Sequence, residues 1–167
     1  FQVRTHIVHL SSANSIEQIK IAQAKGLPIS VETCPHYLYF NAEEIPEGKT
    51  EYKCAPPIRE KTNNDQLWDA IKKGVIEFIV TDHSPSPPEM KELKSGNFKK
   101  AWGGIAGLQF SLPAVWTKAK EKSISTGKFD IEFGDYFKFK HARLISDGLA
   151  TGDIGGTAVT VTRNIMY

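Results

Sequence analysis

The sequence predicts an α/β fold built on a parallel sheet, with the extent of roughly three to four β/α units of an eight-unit barrel. Three observations carry that expectation. Short β-branched or apolar runs at residues 3–9 (VRTHIVH), 29–33 (ISVET) and 75–81 (VIEFIVT) alternate with segments of helical period. The first strand, the first helix and the second strand fit within about thirty residues, the span of one βαβ unit. The titratable residues His9, His36, Asp82 and His83 fall just past strand ends, where parallel α/β folds place their chemistry. A full barrel needs about 200–250 residues, and the chain has 167.

Each element has a local reason. Residues 3–9 read as a buried strand because they are apolar and β-branched. Asn14, with Glu17 three residues on, reads as a helix N-cap with a reciprocal partner. Ile16, Ile19 and Gln23 share one side of that helix, and Gly26 stops it. Pro28 leads into the second strand. Residues 34–57 carry an aromatic stretch at 37–40 but no strong period, and Pro56-Pro57 imposes an extended path. Asn63 is the expected cap of a helix over 63–73, with Leu67 and Ile71 at i,i+4 and Gly74 as terminator. The run at 75–81 is the strongest strand. Residues 82–97 form a loop with Pro85, Pro87 and Pro88, long enough to suggest function or a lid. Gly103-Gly104-x-x-Gly107 is expected to open a helix running to about residue 122. Beyond 125 the pattern weakens. Residues 129–139 alternate aromatic and polar types, compatible with a strand or an irregular helix, and the Gly- and Thr-rich stretch from 151 lacks a packed-core signature. The expected division is a barrel portion over 1–124 and an irregular, divergent tail over 125–167.

Composition bounds the function. Apolar residues make up 40% and charged residues 24%, which excludes a disordered chain. A formal net charge of +2 argues against a nucleic-acid or anionic-membrane surface, both of which need a basic excess. No run of 18 apolar residues predicts a membrane span. Two cysteines, Cys34 and Cys54, cannot form a secreted disulfide framework. No signal-peptide pattern is present, so a soluble, cytoplasmic location is expected. The chain starts at Phe1 and enters a strand at once, so it is expected to be part of a longer protein.

A few residues could carry chemistry. His6 and His9 are three apart on a strand, so a regular strand turns them to opposite faces and at most one is a ligand. His9, nearer the strand exit, is the better candidate; a satisfied core or surface histidine is the alternative. Asp82 follows the apolar run Phe78-Ile79-Val80. A carboxylate at the tip of a buried strand is costly unless paired or metal-bound, so it reads as a metal ligand or general base, or else as a cap of the following turn. Cys34-Pro35-His36 lacks the further close ligands of a zinc knuckle, and Cys54 reads as a small core residue. Gly103-Gly104 could present main-chain groups to a ligand. Lys91, Lys94, Lys99 and Lys100 read as a solvated face, and Trp68, Trp102 and Trp116 as packing residues.

Five strings taken together resemble a known family: HIVHLSSA (6–13), ETCPHYL (32–38), KCAPPIRE (53–60), VTDHSPSPPEMK (80–91) and AWGGIAGLQ (101–109). They are similar, in order, to those of the allantoinase family, one of the cyclic amidohydrolases with dihydropyrimidinase, hydantoinase and dihydroorotase. The resemblance covers residues 3–124. It implies a (β/α)8 barrel with two divalent metals, usually zinc, that hydrolyses a cyclic amide, here the hydantoin ring of allantoin. By motif position it implies that His9 binds one metal and that Asp82 binds the other and acts as general base. It implies that main chain around Ala55, Gly103 and Gly104 holds the ring, and that the full-length enzyme is a homo-oligomer. The family's His-x-His pair, its carboxylated lysine and a further histidine ligand would all lie upstream of His9. His36 and His83 lie in family strings without an implied ligand role. A hydantoin or dihydropyrimidine hydrolase, or a non-catalytic interaction module of the same descent, are the alternatives.

Overall fold

The computed structural model describes residues 3–122, 124, 130–133, 137–139, 143–144, 150–154 and 157–161. Its first strand, β1 (Thr5–Ile7), is followed by a 3-10 turn at Ala13–Ser15 and by α1 (Ile16–Ala24). β2 (Ile29–Thr33), α2 (Pro35–Tyr39), α3 (Lys61–Lys72), β3 (Phe78–Val80) and α4 (Ser111–Glu121) come next. β1, β2 and β3 are parallel neighbours, with Ile7 opposite Val31 and Thr33 opposite Ile79. β4 (Asp130–Phe133) continues the sheet in parallel beside β3, and β5 (Phe137–Phe139) closes it antiparallel. The predicted α/β class with a parallel sheet is therefore present.

The core lies between the sheet and the helices. Val31, Leu38, Leu67, Ile79 and Val115 are buried to 2% exposure or less, and Ile19 and Trp68 pack with them. On α3, Asn63, Asn64, Leu67 and Trp68 form one buried stripe at i,i+4 spacing. Its two asparagines are satisfied rather than orphaned. Asn63 accepts from the Ala13 N–H at 2.7 Å and donates to the Ser11 carbonyl at 2.8 Å. Asn64 donates to the Tyr37 carbonyl at 2.8 Å. Buried amides with complete partners fix the register between neighbouring segments.

Several boundaries differ from the sequence expectation. The first helix begins at Ile16, after a 3-10 turn, and Asn14 is exposed rather than a cap. Asn63 lies inside α3, which starts at Lys61, because its amide is spent on the Ser11–Ala13 segment. The strand at 75–81 is confined to Phe78–Val80. The stretch at 34–57 contains α2, a five-residue helix whose first four residues are all buried and which therefore shows no amphipathic period. The helix expected from Gly103 starts at Ser111; the glycine segment before it is irregular and bridges Ile105 to His83. Gly26 and Gly74 do end α1 and α3 at φ of 69° and 71°, the left-handed turn that glycine adopts most readily.

The tail is more regular than expected where it is described. β6 (Arg143–Leu144), β7 (Ala150–Ile154) and β8 (Thr157–Val161) form a second, antiparallel sheet in the order β6-β7-β8. Cross-strand hydrogen bonding needs no core signature in the sequence, which is why the Gly- and Thr-rich composition concealed it. Among the described residues no helix is long and apolar enough to cross a membrane.

Candidate active site

The carboxyl ends of β1, β2 and β3 gather the titratable residues. His9 lies two residues beyond β1, Cys34 one beyond β2 and Asp82 two beyond β3. His9 and Asp82 share an unusual backbone: φ is +38° at His9 and +43° at Asp82. Left-handed backbone at a non-glycine residue costs energy, and histidine and aspartate are among the types that tolerate it. It marks a sharp turn out of the strand. Such outliers cluster where a side chain must be aimed.

Surrounding hydrogen bonds hold the His9 exit. Glu32, on the middle strand, accepts from the His9 N–H at 3.4 Å and pairs with His6 Nε2 at 2.8 Å. His6 Nδ1 lies 2.7 Å from Ser30 Oγ. His6 is thus engaged on the exposed face of the sheet and is separate from His9. Thr33 Oγ1 donates to the Leu10 carbonyl, and Ser11 Oγ donates to the Pro57 carbonyl. The second bond ties the His9 exit to the segment that carries Ala55. A hollow of about 290 Å³ beside it is lined by His9, Ser11, Pro56 and Arg59 among others.

His36 was not assigned a role from sequence, and the fold places it at this edge. One donor atom each from Cys34, His36 and Asp82 lie within 4.8 Å of one another. Cys34 and His36 are buried and Asp82 is exposed. The signal that could have found this group is topological: Cys34-Pro35-His36 leaves β2 as Asp82 leaves the adjacent parallel strand. Burial, and to a lesser extent nearby His9, lowers the His36 pKa from 6.5 to about 4, so the ring is neutral at pH 7. Burial pushes the Cys34 thiol far above its ordinary range, with Asp82 adding to the shift.

The His36 environment gives a stability prediction for the metal-free chain. The folded-state pKa is depressed for a base, so between pH 6.5 and about 4 the unfolded chain holds a proton that the folded chain lacks. The His36 contribution is therefore flat above pH 6.5 and falls as pH drops toward 4, by about 3 kcal/mol at most. Urea midpoints measured with chelator present should fall between pH 7 and pH 4.5, and His36→Gln should flatten the decline. Equal slopes for both proteins would contradict the assignment.

The loop at 82–97 docks on the glycine segment. The Ser84 N–H donates to the Ile105 carbonyl at 3.0 Å, and the Leu108 N–H donates to His83 Nδ1 at 3.2 Å. Gly104 is buried against Ser84, whose carbonyl oxygen would lie 2.8 Å from an added Cβ. No side chain fits there. The Gly104 N–H donates to the Lys53 carbonyl at 3.1 Å. Lys91 Nζ donates to the carbonyls of Lys53 and Trp102, at 3.0 and 3.2 Å, and to that of Gly104. Lys91 is thus a staple rather than part of a solvated face, and burial lowers its pKa. Lys94, Lys99 and Lys100 are exposed as expected. Trp68 is a packing residue at 2% exposure, whereas Trp102 is 41% exposed.

Gly103 lies beside Ala55, with 3.7 Å between an added Cβ and the Ala55 Cβ. Main-chain N–H and C=O groups of Ala55 and Gly103 have no partner among the described residues, while both groups of Gly104 are taken. A cleft of about 380 Å³ between α2 and α4 is lined by Pro35, His36, Phe40, Thr81, Gly107 and Phe110 among others. It excludes His9 and Asp82, so the strand-exit edge rather than this cleft is the candidate reaction site.

A parallel sheet with His9 and Asp82 at its carboxyl edge has the layout of an α/β enzyme site, and the chain is similar to proteins of the amidohydrolase class. A structure of L-hydantoinase (dihydropyrimidinase) from Arthrobacter aurescens superposes with TM-score 0.66 at 32% identity, over 72% of this chain and 27% of that one. Dihydroorotase from Saccharomyces cerevisiae, at 19% identity and TM-score 0.61, shares the fold. Among curated proteins, allantoinase from Arabidopsis thaliana is 54% identical over 121 residues, 72% of this chain and 24% of the relative. Allantoinase from Saccharomyces cerevisiae is 51% identical over 113 residues, 68% of this chain and 25% of the relative. No protein-family model matches. The chain is a homologue of the allantoinases, hydrolases of the amidohydrolase family. It spans about a quarter of the length of the curated relatives it matches.

Proposed function

We propose that this chain supplies the general base and part of the ligand set of a two-metal enzyme that hydrolyses allantoin to allantoate. The observation that carries the reading is the pair of left-handed strand exits, His9 and Asp82, on one edge of a parallel sheet. In this reading the β1-β2-β3 run belongs to a (β/α)8 barrel with residues 1–124 as the barrel portion, and β4 and β5 of the stretch 125–167 extend the same sheet. His9 and Asp82 are donor types suited to zinc, and their place at one sheet edge fits a metal centre that the rest of the barrel completes.

Bound divalent ions would supply Lewis acidity at the carbonyl and a lower pKa for the attacking water. The chain's own residues do the rest. The Asp82 carboxylate orients the water and takes its proton as the new C–O bond forms. It returns that proton to the ring nitrogen as the C–N bond breaks. The free main-chain groups of Ala55 and Gly103 hydrogen-bond the flat ureide, and Gly104, by lacking a side chain, lets Ser84 pack against it and hold the segment in place. Hydantoinase-like structures support a related ring as the second reading, and the higher identity to allantoinases favours allantoin.

Metal analysis of the complete protein tests this. Two divalent ions per chain are expected, falling to about one in His9→Asn. The 167-residue chain alone should hold fewer than two and show no turnover of allantoin. Two ions in the short chain, or an unchanged count in His9→Asn, would overturn the ligand assignment.

A further inference from the structure

We propose that Cys34, His36 and Asp82 form a mixed sulfur–nitrogen–oxygen site for one thiophilic divalent cation of the cadmium or zinc type, distinct from a site built on His9. Their donor atoms come within 4.8 Å of one another. Bond lengths of about 2.0–2.3 Å put neighbouring donors of a tetrahedral zinc site about 3.5 Å apart, a closure that side-chain rotation supplies. Each donor is also free. Cys34 is a fully buried thiol outside any disulfide. His36 is 4% exposed, and its buried Nε2 has no hydrogen-bond partner. The Asp82 carboxylate accepts no hydrogen bond among the described residues and faces solvent, which gives the entry side.

An unpaired buried ring nitrogen is costly and calls for an explanation. A cation held jointly by the ring, the thiolate and the carboxylate is the explanation these residues offer. Thiolate and imidazole together select soft and borderline metals over magnesium or calcium. On binding, the Cys34 S–H bond breaks, an S–metal bond forms and the proton leaves to solvent. The occupant also claims Asp82. In the complete protein it would therefore act as an inhibitor. That consequence rests on the proposed role of Asp82, whereas the binding itself does not.

The test is cadmium(II) titration of the 167-residue chain in reducing, metal-free buffer, read by the ultraviolet thiolate-to-metal charge-transfer band and by proton release. Saturation at one equivalent with one proton released is expected. Cys34→Ser should remove the band, and His36→Gln should weaken binding by at least about 10–100-fold, the cost of losing even an outer-shell partner. Cys54→Ser should retain the band, and circular dichroism should show each variant folded. Cadmium-113 resonance of the unaltered chain needs no variant and should report one sulfur with nitrogen and oxygen ligands. An oxygen-only resonance overturns the proposal, as does a band kept in Cys34→Ser and lost in Cys54→Ser. Should cadmium bind as described while Asp82→Asn leaves catalysis by the complete protein intact, the functional reading fails and this site stands.

Discussion

Asp82→Asn in the complete protein lowers kcat for allantoin by about 10²–10⁴-fold, the span of a lost general base. Asparagine is the informative replacement because it tolerates the left-handed backbone at φ +43°. It preserves shape and exposure, and removes the proton acceptor and the negative charge. Circular dichroism and the urea midpoint should therefore stay close to those of the unaltered protein while turnover collapses. A loss below tenfold, in protein shown to be folded, would mean that another group takes the proton from water. Asp82→Ala should be worse on stability, since alanine gains nothing from that turn.

Trp68→Ala destabilises the chain by about 3–5 kcal/mol, the range for deleting a buried indole. Trp68 sits at 2% exposure on the buried stripe of α3. Its Nε1–H donates to the Leu38 carbonyl at 3.0 Å, just as Asn64 one turn earlier donates to the Tyr37 carbonyl. The substitution therefore opens a cavity and strips a carbonyl of α2, the short helix that carries His36. Against a typical domain stability of about 5–15 kcal/mol, such a loss leaves a marginal fold. Trp68→Phe should cost less, because most of the volume stays and the lost hydrogen bond is worth about 1 kcal/mol. Urea unfolding of both variants checks this, and a Trp68→Ala loss under about 1 kcal/mol would contradict the packing described.

The parallel strands were legible because each carries its own apolar run, and α1 and α3 because glycine ends them. Local signals failed where tertiary partners decide the backbone. Asn63 looks like a cap in isolation, and becomes an interior clamp only because Ser11 and Ala13 lie against it. The α2 helix is buried along most of its length, so no polar face betrays it. The glycine segment at 103–107 stays non-helical because Lys53, Lys91 and Ser84 take its main-chain groups. At the site, strand-end position pointed to His9 and Asp82 one residue at a time. It could not show that Cys34 and His36 reach the same carboxylate, because that meeting depends on β2 and β3 being neighbours. Nor could spacing reveal Lys91 as a staple, since its three acceptors lie at residues 53, 102 and 104.

The most direct test of the central claim is the turnover of allantoin, hydantoin and dihydrouracil by the complete, metal-loaded protein, compared as kcat/KM. Allantoin is expected ahead by about 10–200-fold or more, the discrimination that a few ring contacts provide, with conversion to allantoate. Equal or faster hydrolysis of hydantoin or dihydrouracil, or no turnover of allantoin, would contradict it.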